Sequence, residues 1–159
     1  MKSVWIWGVL ALALAGCASE ETFETVADEQ ILSVMAQPRE ILITLPEDAA
    51  APVLETEEQQ IYLGENYELI LQTRMAGDLN GTVRSLSGYD KEKLTMMQTQ
   101  WQDVRRYDFV WVSVGEEGER LGRGTILDDG TYHYCLTLLQ DAEGKQDWEP
   151  VFASFSIAP

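Results

Sequence analysis

The sequence predicts an α+β fold: an antiparallel sheet with a C-terminal meander and two short helices packed on it. Three observations carry that expectation. From residue 59 onward, runs rich in β-branched and aromatic residues alternate apolar with polar positions. Gly, Asn and Asp separate these runs at short intervals, as tight turns require. Two segments, 79–86 and 148–155, instead repeat their apolar residues at helical spacing. Strands, a helix, a meander and a closing helix in that order describe helices set against an antiparallel sheet.

The chain opens with one positive charge at Lys2 and an uninterrupted apolar stretch from Val4 to Leu14. That stretch is too short for a spanning helix, which needs about 20 apolar residues, and has the make-up of a secretory signal. Leu14-Ala15-Gly16-Cys17 closes it. This motif resembles the lipobox of bacterial lipoproteins. The resemblance implies that Cys17 is acylated and becomes the mature N-terminus, holding the protein to a membrane on its extracytoplasmic face. Residues 1–16 then form a signal peptide, and 17–58 the lipidated cysteine and an acidic tether. Within that tether, 29–35 has the apolar content of a brief helix. Ile41 to Leu45 reads as a short edge strand stopped by Pro46. Residues 18–58 hold eleven acids against one base, whereas 59–159 hold sixteen against nine, so a boundary falls near 59.

Residues 59–159 form the expected α+β domain. Ile61 to Leu63 and Tyr67 to Thr73 read as strands around a turn at Gly64-Glu65-Asn66. Asp78 is placed to cap a helix running to about Leu86. Leu79, Val83 and Leu86 share its inner face, and Gly88 sits where a C-terminal glycine belongs. Lys93 to Gln100 is read as a strand. In 106–114, Tyr107, Phe109 and Trp111 alternate with Asp108, Val110 and Val112, which places Trp111 in the core. Turns at Gly115 to Gly118 and Asp128 to Gly130 then link strands 120–127 and 131–139 into the meander. Asp147 precedes a short helix through Ser154, whose Val151, Phe152 and Phe155, with Trp148, are expected to cover one sheet face.

The closing segment, Tyr132 to Leu138 followed by Trp148, Val151, Phe152, Ser154 and Phe155, resembles that of PsbP/LpqN/DcrB-like proteins. The likeness covers about the last thirty residues. It implies a small exported domain and transfers no functional residue.

Composition narrows the function classes. Without residues 1–16, ten basic residues face 27 acidic ones, a net charge of −17. Such a surface repels nucleic-acid phosphates and anionic headgroups, so no nucleic-acid partner is expected. With Cys17 acylated, Cys135 is the one remaining thiol and no internal disulfide forms. No phosphate loop, dinucleotide fingerprint or nucleophile elbow occurs. His133 and Cys135 share a strand face but sit among aromatic and aliphatic residues, which favours packing over nucleophilic chemistry. Asp78-Leu79-Asn80-Gly81 and Asp128-Asp129-Gly130 carry oxygen ligands, yet match turns better than an EF-hand. Glu116, Glu117 and Glu119 read as a solvated cluster at a hairpin tip. No metal or other cofactor is expected. Trp101, Trp148 and His133 remain as candidates for a ligand surface. The leading expectation is therefore a lipid-anchored, extracytoplasmic binding or accessory module of the envelope. Its partners would be the membrane, reached through its lipid, and an envelope protein or small molecule. The alternatives are an envelope hydrolase, with His133 beside Asp128 or Asp129 in a cleft, and a structural protein that self-associates.

Overall fold

The computed structural model describes residues 36–115 and 118–159. Cys17, the signal segment, the 29–35 helix and the Glu116–Glu117 turn expected above lie outside the described residues. The compact unit begins at Ala36. Its chain order is β1 (Ile41–Leu42), β2 (Leu54–Glu55), β3 (Gln59–Leu63), β4 (Tyr67–Met75), α1 (Leu79–Ser87), β5 (Met96–Trp101), β6 (Val104–Gly115), β7 (Gly118–Asp128), β8 (Tyr132–Asp141), α2 (Glu149–Ser154) and β9 (Ser156–Ile157). Seven strands form one sheet in the order β2-β3-β4-β8-β7-β6-β5, and every neighbouring pair is antiparallel. β1 and β9 make a separate antiparallel pair.

The fold is thus a β-rich antiparallel sheet with two helices. α1 links β4 to β5, which lies at the far edge of the sheet. Its ends follow from local chemistry. The Asp78 carboxylate accepts from the backbone N–H groups of Asn80 and Gly81, two of the donors a helix start leaves unpaired. Gly88 ends the helix at φ 79°, a left-handed conformation that favours glycine, and its N–H donates to the Arg84 carbonyl.

Strand alternation divides the core between the two sheet faces. On one face, Leu69 and Leu71 of β4, Leu127 of β7, and Tyr134, Leu136 and Leu138 of β8 meet Trp148 and the Val151, Phe152 and Phe155 side chains at α2. On the other, Tyr107, Phe109, Trp111, Ile126 and Cys135 meet Val83 of α1. The cross-strand partners of Phe109 and Trp111 are Gly124 and Gly122. A Cβ at Gly124 would lie 2.6 Å from the Phe109 ring, and one at Gly122 would overlap the Trp111 indole. Glycine at these two positions lets both rings lie directly on the sheet.

Several bounds differ from the sequence expectation for physical reasons. β5 begins at Met96 because Lys91–Lys93 forms a 3₁₀ turn, held by the Lys91 N–H on Asn80 Oδ1 and by an Arg84–Asp90 ion pair. The strand expected at 41–45 pairs only over Ile41–Leu42, because the Thr44 N–H turns away to Ser154 Oγ. Alternation nevertheless continues, and Ile41, Ile43 and Leu45 pack against the core. Residues 36–58, read above as tether from their acidity, therefore contribute side chains to the domain. Ala49 is buried there, and β2 pairs with β3. The acids stand between apolar positions, so net charge alone conceals the packing.

Candidate functional site

The two-residue turn Gln102–Asp103 between β5 and β6 leaves Trp101 79 % exposed. Gln102 supplies a left-handed φ of 55°, and its carbonyl accepts from Gln100 Nε2 at 3.2 Å. Trp101 stands beside a groove of about 360 Å³ whose apolar lining includes Val104, Leu127, Phe155 and Ile157. An indole left this exposed offers a ligand or partner one of the largest apolar areas a side chain can bury.

Two arginines fix the groove's walls. Arg106 donates to both Asp108 carboxylate oxygens, at 2.8 and 3.0 Å, and to the carbonyls of Phe152 at 2.9 Å and Phe155 at 3.3 Å. It therefore pins the C-terminal end of α2, where carbonyls lack helical partners, to β6. Thr125 Oγ1 donates to the same carboxylate at 2.6 Å. Arg39 pairs with Asp103 at the turn and lies 3.7 Å from Asp129. The hydrogen bond from Arg39 holds the Asp103 carboxyl below its ordinary pKa. The Arg39 backbone N–H donates to Tyr134 Oη, which in turn donates to Asp129. Burial, opposed by the Arg39 N–H and assisted by the Asp129 bond, pushes the Tyr134 phenol up to about 12. Both arginines are thus engaged by carboxylates, and the groove offers a largely apolar surface with a polar rim.

The other sequence candidates sit elsewhere. Trp148 is 5 % exposed and packs edge-on to Tyr67, with ring centroids 4.5 Å apart. Its Nε1–H and the Tyr67 hydroxyl are buried without a hydrogen-bond partner among the described residues. His133 is 1 % exposed. Its Nδ1 shares a 2.8 Å hydrogen bond with Thr82 Oγ1, and its Nε2 lies 3.8 Å from Asp128 Oδ2. Thr82, His133 and Asp128 have the order of a hydroxyl–imidazole–carboxylate relay, but all three are buried, at 3 %, 1 % and 5 % exposure. The remaining Asp128 interactions are structural: Oδ2 takes Arg105 Nη2 at 2.8 Å, and Oδ1 takes the Gly130 N–H. His133 is enclosed, Trp148 lines a small cavity of about 170 Å³ together with Tyr67, Asn66 and Gln140, and Trp101 is the one of the three whose ring is widely exposed.

No family model, curated protein or solved structure matches this chain. Site chemistry therefore rests on geometry. Burial pushes the Cys135 thiol up to about 12, leaving it protonated and unreactive at neutral pH. Asp78 caps α1, while Asp129 Oδ1 accepts the Thr131 and Tyr132 N–H groups of its turn. These are the two clusters with calcium-type residues, and both are occupied by backbone donors. Sequence reasoning missed Arg39, Arg106 and Asp108. Arg106 and Asp108 share one strand face at i, i+2, and that spacing was the available signal.

Proposed function

We propose that this chain is a lipid-anchored, extracytoplasmic binding or accessory module of the cell envelope. Its domain is read as α+β, with β6 to β8 as the C-terminal meander, and the Trp101 groove as the surface that takes an apolar or aromatic group. The anchor rests on Leu14-Ala15-Gly16-Cys17 behind a short apolar run. Two or more acyl chains suffice to hold a soluble domain at a bilayer, at about 0.8 kcal/mol per buried methylene. Nucleic acid is disfavoured as a partner by the net charge of −16. The observation that carries the binding reading is the exposed Trp101 beside an apolar groove large enough for a small ligand or a side chain of a partner protein. The burial of the Thr82–His133–Asp128 group weighs against the hydrolase alternative.

Each half of the proposal has its own test. Cys17→Ala is expected to leave the protein unprocessed or release it from membranes on fractionation. A correctly cut variant that stays membrane-bound overturns the anchor. For the groove, 8-anilinonaphthalene-1-sulfonate serves as an amphiphilic aromatic probe. Its fluorescence should rise with the folded chain, and Trp101→Ala should weaken binding about 10- to 100-fold through lost apolar contact. Equal probe affinity in the variant removes Trp101 from the site.

A further inference from the structure

The cavity of about 170 Å³ beside Trp148 shares no residue with the Trp101 groove. Three segments enclose it. The turn between β3 and β4 brings Asn66 and Tyr67, the stretch after β8 brings Lys145 and Trp148, and Asp48 comes from the segment before β2. Tyr67 and Gln140 are cross-strand partners in the β4–β8 pair. The Asp141 N–H donates to the Asn66 carbonyl at 3.0 Å and ties two of the walls together.

Polar groups at this cavity stand unpaired. Gln140 is 8 % exposed, and its side-chain amide makes no hydrogen bond among the described residues. The Tyr67 hydroxyl and the Trp148 Nε1–H are buried and lack partners as well. Burial, helped by the nearby Asp48 carboxylate, pushes the Tyr67 phenol up to about 12, yet the two do not meet in hydrogen-bond geometry. Buried polar groups are ordinarily satisfied by protein, water or ligand, so three unpaired ones around one cavity point to an occupant. The backbone is shaped to hold two of them there. A Cβ at Gly64 would overlap the Tyr67 ring, and one at Gly144 would overlap the Gln140 amide. Glycine at both positions lets the turns approach these side chains closely and set where they stand.

The chemistry of the occupant follows from these donors and acceptors. The indole N–H only donates, and the phenol, protonated at neutral pH, donates too, so both need an oxygen. Asp48 and Glu65 add carboxylates that only accept, and the Gln140 amide does either. Lys145 is the one base against those two acids, in a chain of net charge −16, so an anion is repelled on balance. A cation would leave the indole and phenol donors without an acceptor. A hydroxyl both gives and takes a hydrogen bond, and adjacent hydroxyls serve donors and carboxylates together. We propose that this cavity binds a small neutral polyol, the chemistry shared by glycerol and by the hydroxyls of a sugar ring. Its oxygens take the Trp148 N–H and the Tyr67 O–H, and its hydroxyl protons go to the Gln140 amide oxygen and to Asp48. The space holds several waters at about 30 Å³ each, and the polyol displaces these.

The test uses the full chain with nitrogen-15 in its tryptophans, in a detergent whose headgroup carries neither sugar nor glycerol. The Trp148 Nε1–H resonance is the one missing from Trp148→Phe. Glycerol or glucose should move it saturably, with a dissociation constant of about 1–50 mM, while the other indole resonances stay in place. Tighter binding of glycerol assigns the hydroxyls to an open chain, and tighter binding of glucose to a sugar ring. Sodium acetate and ammonium chloride, the anion and cation controls, should leave the resonance unmoved. Tyr67→Phe removes the hydroxyl, and Gln140→Met removes the amide at similar length. Each should weaken polyol binding about tenfold. Neither group has a protein partner to lose, so both variants should unfold in urea at a midpoint no lower than the parent's. A merely structural group would show the reverse, a lower midpoint with the polyol response intact. That pattern, parental affinity in both variants, or a shift caused by acetate or ammonium overturns the proposal. An unmoved Trp148 resonance, or a drift shared by all the indoles, overturns it too and leaves a cavity that holds water only.

Discussion

His133 shows how a polar residue on an apolar face is accommodated. Burial lowers its pKa below 6.5, assisted by Arg74 and Arg105 and opposed by Asp128 and Asp129. The neutral imidazole is the species that fits, with Nδ1 held by Thr82. Because the folded pKa is depressed, the unfolded chain binds a proton more readily. The contribution of His133 is therefore fully present above pH 6.5 and is lost as pH falls from there towards the folded value. Thermal melts between pH 7.5 and 5.5 should show a decline for the parent protein and a flatter profile for His133→Asn, with the carboxylates common to both. Identical slopes would mean that His133 is not a neutral, buried group. Its apolar setting was legible in the strand pattern around it, and so was the core role of Trp111. The partner Thr82 was not, since it arrives from a helix 51 residues earlier in the chain. Helical spacing set Trp148 among the residues that cover the sheet, yet it stood beside Trp101 as a ligand-surface candidate, because its packing on Tyr67 is a long-range contact. One packs edge-on to Tyr67 from far along the chain, and the other projects beside the Gln102–Asp103 turn.

Elements specified by their own residues were the most readable. Helix α1 carries its start and stop signals locally, in Asp78 and Gly88. Removing the carboxylate in Asp78→Ala leaves two first-turn N–H groups without that acceptor and should cost about 1 kcal/mol, read as a lower urea midpoint at unchanged slope. A midpoint equal to the parent would mean that solvent replaces the cap without loss. The alternation of β6, β7 and β8 was equally local, and the β7–β8 turn carries its own signal in Asp129 and in Gly130 at φ 89°. β1 and β2 were harder to read. Each is two residues long: β1 exists because a remote strand accepts it at Ile157 and Ser156, and β2 because it folds back on β3 at Ile61 and Gln60. The groove lies at the non-local extreme. Its residues come from positions 39, 101–106, 127 and 155–159, and no window of sequence contains them together. Arg106 makes the point chemically, because its two carbonyl partners lie 46 and 49 residues away.

The whole molecule is dominated by its charge. The chain holds 27 acidic residues against 11 lysines and arginines. Six arginines, Arg39, Arg84, Arg105, Arg106, Arg120 and Arg123, are engaged in ion pairs among the described residues. Surface pairs of this kind typically contribute about 0–1 kcal/mol each and weaken as salt is added. The excess carboxylates repel one another over longer distances, and that repulsion is screened at the same time. The two effects oppose each other, so the sign of the salt response reports which is larger. The number of acids without a basic partner favours repulsion. Raising sodium chloride from about 10 to 200 mM should therefore raise the melting temperature, by on the order of 3 °C if repulsion exceeds lost pairing by about 1 kcal/mol. A fall would show that the arginine pairs outweigh the net charge, with Arg106–Asp108 as the first suspect, because both side chains are largely shielded from water. Repeating the titration with Arg106→Gln separates the cases. If that pair is responsible, the variant loses the downward slope. If repulsion governs, both proteins gain stability in parallel.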